Sequence, residues 1–77
     1  MKVEIYSKDA CGYCSAAKTL FESKGIQYQE HRIGYNGVTR ETLLEKVPTA
    51  RTVPQIFIND ELIGGYTELS NWFKTYA

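Results

Sequence analysis

The sequence predicts an α/β fold, a four-stranded mixed sheet flanked by three helices in the order β-α-β-α-β-β-α. Three observations carry this. The chain opens on a period-two apolar alternation at Val3 and Ile5. Stretches with helical spacing follow at Ala16, Ala17, Leu20 and Phe21 and again at Leu69, Trp72 and Phe73. Two short apolar runs near the end are separated only by Asn59-Asp60. With 77 residues, residues 1–77 are expected to form one domain, because neither half could bury enough to offset the entropy of ordering its backbone.

Lys2 to Tyr6 reads as the first strand, with Val3 and Ile5 on one face. A turn from Ser7 to Ala10 leads into a helix over Gly12 to Lys24, which Gly25 ends. Ile26 to Ile33 reads as a second strand, parallel to the first by the β-α-β rule. After a loop from Gly34 to Val38, Thr39 caps a short helix through Val47 that turns Leu43, Leu44 and Val47 inward, and Pro48 stops it. Gln55 to Ile58 and Glu61 to Ile63 form a hairpin, since Asn59 and Asp60 tolerate the left-handed dihedrals of a two-residue turn. Thr67 is expected to cap the last helix, whose Leu69, Trp72, Phe73 and Tyr76 share a face.

Composition narrows the function. Nine Lys and Arg balance nine Asp and Glu, so no basic field favours nucleic acid or an anionic membrane. No stretch is apolar enough to span a bilayer or serve as a signal core, and a soluble, cytoplasmic protein is expected. Cys11 and Cys14 are the only cysteines. Three residues apart, they close a trivial loop and cannot staple the fold, and apolar residues at 43% supply a core without them. In a reducing compartment such a pair is redox-catalytic or part of a metal site. Zinc wants four ligands, and His31 is the only further soft one. It reads instead as a surface or half-buried strand residue.

Cys11-Gly12-Tyr13-Cys14 opens a helix, where unpaired amides and the helix dipole favour a thiolate, so Cys11 is expected to be the acidic sulfur. Lowering a free cysteine from ~8.5 by about two units needs roughly 2.7 kcal/mol. A helix end supplies only about 0.3–2 kcal/mol, so one additional favourable interaction is required. Lys8 is the nearest cation in sequence, while Asp9 would oppose it. Cys14, one turn along the same face and flanked by Ala16 and Ala17, is placed to attack a mixed disulfide at Cys11 and to stay protonated until then.

Three further segments stand in order with this motif: Tyr6-Ser7-Lys8, the run Arg51-Thr52-Val53-Pro54-Gln55-Ile56-Phe57-Ile58, and Ile63-Gly64-Gly65. Together with Cys-Gly-Tyr-Cys they resemble a dithiol glutaredoxin, over nearly the whole chain from Val3 to Phe73. The resemblance implies the thioredoxin-like fold in its minimal glutaredoxin form, and a cis bond before Pro54. It also implies a groove for glutathione, used as reductant with no tightly bound cofactor. Val53 would pair through its backbone with the cysteinyl part, beside Thr52 and Pro54. Lys8 and Arg40 would hold the glycine end. Gly64 and Gly65 would allow close backbone approach, and Gly65, Thr67 and Glu68 at the start of the last helix would meet the γ-glutamyl end. Tyr13 would flank the sulfur. Taken singly, Lys8 is a surface lysine, Gly64-Gly65 a hairpin end and Thr67 a helix cap; the set carries the reading.

Two positions depart from the family pattern. Many members carry aspartate where this chain has Thr67, so weaker γ-glutamyl binding is expected. Proline is commoner than Gly12 in the dithiol class, and glycine should leave the active-site turn more flexible. The leading expectation is a monomeric, glutathione-dependent thiol-disulfide oxidoreductase acting on protein disulfides and glutathione mixed disulfides. Ribonucleotide reductase is a frequent client of small members. Other members, including some with glycine at this position, hold a [2Fe-2S] centre between two subunits using the first cysteine and glutathione. A thioredoxin-type reductase served by a flavoenzyme is the third reading.

Overall fold

The structure is a computed structural model that describes residues 1–76. Its elements follow the expected order: β1 (Val3–Ser7), α1 (Gly12–Ser23), β2 (Gln29–Arg32), α2 (Arg40–Lys46), β3 (Gln55–Ile58), β4 (Glu61–Gly64) and α3 (Tyr66–Tyr76). The sheet runs β2-β1-β3-β4, with β1 parallel to β2 and antiparallel to β3, and β3 antiparallel to β4.

Both faces of this sheet are covered, which explains why every residue of β1 is buried and not only the alternate ones. On one face Val3, Ile5, Ile56 and Ile58 meet Ala17 and Phe21 of α1 and Leu69 and Phe73 of α3. On the other, Tyr6 and Phe57 pack under Leu43 of α2 and Val47 at its C-terminal cap. The strand alternation therefore sorts residues between two cores. Glu4 falls on the α2 face, where His31 lies 3.1 Å from its carboxylate.

The second strand is shorter than Ile26 to Ile33. Ile26 and Tyr28 pack against the larger core without joining the ladder, which begins at the Glu4–Gln29 pair. The hairpin is as expected, with Asn59 at φ 53° and Asp60 at φ 67° in the turn. In β4 the register shifts between the Ile56–Gly64 and Phe57–Leu62 pairs, leaving Ile63 as an extra residue.

Helix α3 corrects one expectation. Thr67 lies within the first turn and is exposed. Gly65 takes the cap position: its carbonyl accepts from Leu69 N–H at 3.0 Å, and its own N–H donates to Glu68 Oε1 at 2.7 Å. Glu68 thus performs the carboxylate half of a capping box for a helix that starts two residues earlier than the threonine suggested. Tyr76, 73% exposed, turns away from the face that Leu69 and Phe73 bury. At Gly64 the backbone has φ +121° and an added Cβ would sit 2.8 Å from Glu68 Cγ. Gly64→Ala is therefore expected to displace the capping carboxylate and cost about 1–3 kcal/mol. A thermal melt should show this as a Tm lower by several degrees.

Candidate active site

Strand β1 delivers the chain to a tight turn in which Ala10 adopts φ 55°, and Cys11 then occupies the N-cap of α1. The Cys14 N–H donates to Cys11 Sγ at 3.2 Å, so an amide of the first helical turn points at that sulfur. Cys11 and Cys14 are joined as a disulfide with Cα atoms 5.3 Å apart. Their environments differ sharply: Cys14 is 1% exposed, whereas Cys11 is only half-buried and reaches the surface. Val53, joined to buried Pro54 through a cis peptide bond, places its carbonyl 3.8 Å from Cys11 Sγ. Gly12 is the first helical residue, and a Cβ there would meet nothing within 4 Å. Nothing in the local packing requires glycine.

Two hollows meet along Thr52 and Val53. One, of about 200 Å³, is lined by Lys8, Arg40, Thr52 and Val53 among the expected residues, and by Arg51. The other, of about 280 Å³, is lined by Tyr13, Thr52, Val53, Pro54, Gly65, Thr67 and Glu68. Of the residues expected at the groove, all but Gly64 line one of these two hollows. Tyr13, 67% exposed, stacks on Tyr66 with ring centroids 6.0 Å apart. Tyr66 was not anticipated, though its place beside Gly65 could have suggested it.

A charged network on the β2 side was also missed. Glu30 accepts from the fully buried Ser7 hydroxyl at 2.5 Å and lies 3.0 Å from Lys18 Nζ and 3.6 Å from Arg32 Nε. Arg32 continues to Asp9 at 3.7 Å, and Tyr35 donates its hydroxyl to Asp9 at 2.9 Å. Asp9, expected to oppose a thiolate at Cys11, is thus engaged by a cation and a phenol. Lys18 and Arg32 share a third hollow with Cys11 and Cys14. The available signal was that Lys18 falls one turn after Cys14, but Glu30 and Arg32 reach the site only through the β1–β2 pairing.

Burial pushes the Glu30 carboxyl up, but the hydrogen bonds from Ser7 and Lys18 and the charges of Lys18 and Arg32 outweigh it, holding it below the ordinary carboxylate range. A carboxyl held down in the folded state stabilises that state fully above its unfolded value, and the stabilisation is lost as pH falls through the folded one. The urea midpoint of Glu30→Gln should lie below that of the parent chain at neutral pH, with the gap closing in acid below about pH 4. A gap that stayed constant across that range would show that the network does not act through the Glu30 charge.

His31 stacks on Tyr6 at 4.7 Å and pairs with Glu4. Among the described residues, no three of His, Cys, Asp and Glu come together as a metal site. No helix among the described residues is long and apolar enough to cross a membrane.

The glutaredoxin family model matches residues 3–63. The chain belongs to the glutaredoxin family. It is 46% identical over 67 residues to glutaredoxin 3 of Escherichia coli, covering 87% of this chain and 80% of that one. Among solved structures it is similar to reduced Escherichia coli glutaredoxin, with TM-score 0.83, 38% identity, and coverage of 99% of this chain and 96% of that one. It also resembles a buckwheat glutaredoxin–glutathione complex, with TM-score 0.81, 32% identity, and coverage of 95% and 68%. The four-stranded mixed sheet with three helices is the thioredoxin-like fold of these glutaredoxins, and Cys11 and Cys14 form the close cysteine pair of a redox-active member.

Proposed function

We propose that this glutaredoxin reduces protein disulfides and glutathione mixed disulfides with electrons from glutathione. The observation that carries the reading is the unequal burial of the two sulfurs: Cys11 reaches the surface 3.8 Å from the Val53 carbonyl, and Cys14 is enclosed.

The Cys11 thiolate attacks the glutathionyl sulfur of a mixed disulfide. The client thiolate departs and Cys11 becomes bonded to glutathione. A second glutathione thiolate then attacks, releasing glutathione disulfide and restoring the Cys11 thiolate. With a protein disulfide, Cys11 instead bonds to one client sulfur and Cys14 displaces it, leaving the client reduced and Cys11–Cys14 oxidised. Two glutathione molecules return that disulfide to the dithiol and leave as glutathione disulfide.

In this reading the Val53 backbone pairs with the cysteinyl part of glutathione, with Thr52 and Pro54 beside it. Lys8 and Arg40 receive the glycine carboxylate. The γ-glutamyl group lies among Tyr13, Gly65, Thr67 and Glu68, where the Glu68 carboxylate suits its ammonium. Because Glu68 already takes the Gly65 N–H, the γ-glutamyl carboxylate has one fewer backbone donor, which supports weak binding at that end. Client proteins, ribonucleotide reductase among them, are the proposed acceptors, and the reducing cytoplasm the proposed setting for a monomer.

Turnover of the mixed disulfide between glutathione and 2-mercaptoethanol, with glutathione as sole reductant, tests this. Saturable, enzyme-dependent release of glutathione disulfide is expected. A chain that needed a flavoenzyme for turnover would belong to the thioredoxin-type reading instead.

A further inference from the structure

Around the hollow beside α2, three cations reach the rim without an ion-pair partner among the described residues: Lys8, Arg40 and Arg51. Nearby cations are handled differently. Lys18 is paired with Glu30, and Arg32 with Glu30 and Asp9. The floor between the three free cations is apolar, formed by buried Leu43 with half-buried Leu44 and Ala50. An apolar floor under an unneutralised basic rim is complementary to a ligand that carries both an aliphatic group and more than one negative charge.

Glutathione does not use all of this. In the proposed reading its cysteine lies opposite Val53 and its glycine end points toward Lys8 and Arg40, on the Thr52 side. The bound chain therefore runs antiparallel to Ala50–Val53. In that register the residue after cysteine meets Thr52 and the next one meets Arg51. Glutathione ends at its glycine, opposite Thr52. Arg51 and the apolar floor lie beyond its last atom, within reach only of a longer chain.

We infer that this hollow docks the stretch of a disulfide client immediately C-terminal to its reactive cysteine, and that Arg51 selects clients with an apolar residue and two carboxylates in the three positions after that cysteine. The inference rests on the pairing of substrate with Val53 given under the proposed function. Cys11 attacks the sulfur of the cysteine so docked, the other client sulfur leaves as a thiolate, and Cys14 then displaces the docked one. Both electrons come from the Cys11–Cys14 dithiol, and glutathione replaces them.

The test uses disulfide-linked peptide dimers with glutathione as reductant. Each peptide has one cysteine followed by leucine and two glutamates, or by leucine and two glutamines. The acidic peptide should show kcat/KM about tenfold higher at low salt, with the preference shrinking as ionic strength rises. Arg51→Gln should bring the ratio down to about two, and Arg51→Glu should reverse it toward a lysine-tailed peptide. Arg51 is exposed, and circular dichroism of each variant will show whether it is folded. Equal rates for the two peptides with the parent chain would overturn the inference, as would a ratio that Arg51→Gln left unchanged. If the glutathione–mercaptoethanol disulfide is turned over normally in that case, only the docking inference falls. If it is not turned over at all, the reading beneath it falls as well.

Discussion

Cys11→Ser should abolish turnover of both mixed disulfides and protein disulfides, by about 1,000-fold or more, because the serine hydroxyl at the same N-cap is not ionised at neutral pH and cannot form the covalent intermediate. Cys14→Ser should behave in the opposite way. With glutathione to resolve the intermediate, deglutathionylation continues at a comparable rate, while reductions that require both electrons from the protein are lost. The physical basis is access: a sulfur 1% exposed cannot meet an external disulfide, but it can reach one formed at its neighbour, whose Cα lies 5.3 Å away. Initial rates of the two variants with one small mixed disulfide and one peptide disulfide decide the matter. Retained activity in Cys11→Ser, or loss of deglutathionylation in a folded Cys14→Ser, would reverse the assignment of attacking and resolving sulfur.

The second large effect concerns the core that carries this chemistry. Phe21 is fully buried, meets Phe73 edge-on at 5.9 Å and lies 5.8 Å from the Tyr28 ring. Phe21→Ala removes these contacts from the face of α1 that packs on the sheet and should cost about 3–5 kcal/mol. A chain of 77 residues holds roughly 4–12 kcal/mol in all at typical stability per residue. The variant should therefore melt well over 10 °C lower, or be unfolded at 37 °C, when followed by far-ultraviolet circular dichroism. Since α1 also presents the cysteines, its activity should fall in step with its folded fraction. A melt within a few degrees of the parent chain would mean that the site collapses around the missing ring.

The features that could be read from the sequence were local. The i, i+3 spacing of the cysteines, the left-handed pair Asn59-Asp60 and the helical spacing of Ala17 and Phe21 are each settled within one turn of chain, and the structure shows all three. Position 67 misled because threonine is a common cap, yet the helix starts two residues earlier, with Gly65 as its cap and the Gly65 N–H taken by the Glu68 carboxylate. Glu4 and Tyr6 lie on the face of β1 opposite Val3 and Ile5, and only the docking of α2 turns that face into a second core. The Lys18–Glu30–Arg32–Asp9 chain lay hidden for a related reason. Its members come from α1, β2 and the turn before Cys11, and no periodicity links them until the strands are in register. The nine residues expected to bind glutathione came from likeness to a family rather than from spacing, and each of them lines one of the two hollows that share Thr52 and Val53.

The turn at Ala10 sets a tension between aim and ease. An alanine at φ 55° sits where its methyl group is crowded, at a cost of about 1–2 kcal/mol that a glycine would not incur. Easing that bend would make the molecule hardier while letting the first sulfur wander from the amide beneath it. The chain spends a little of its durability on holding the Cys11 sulfur still.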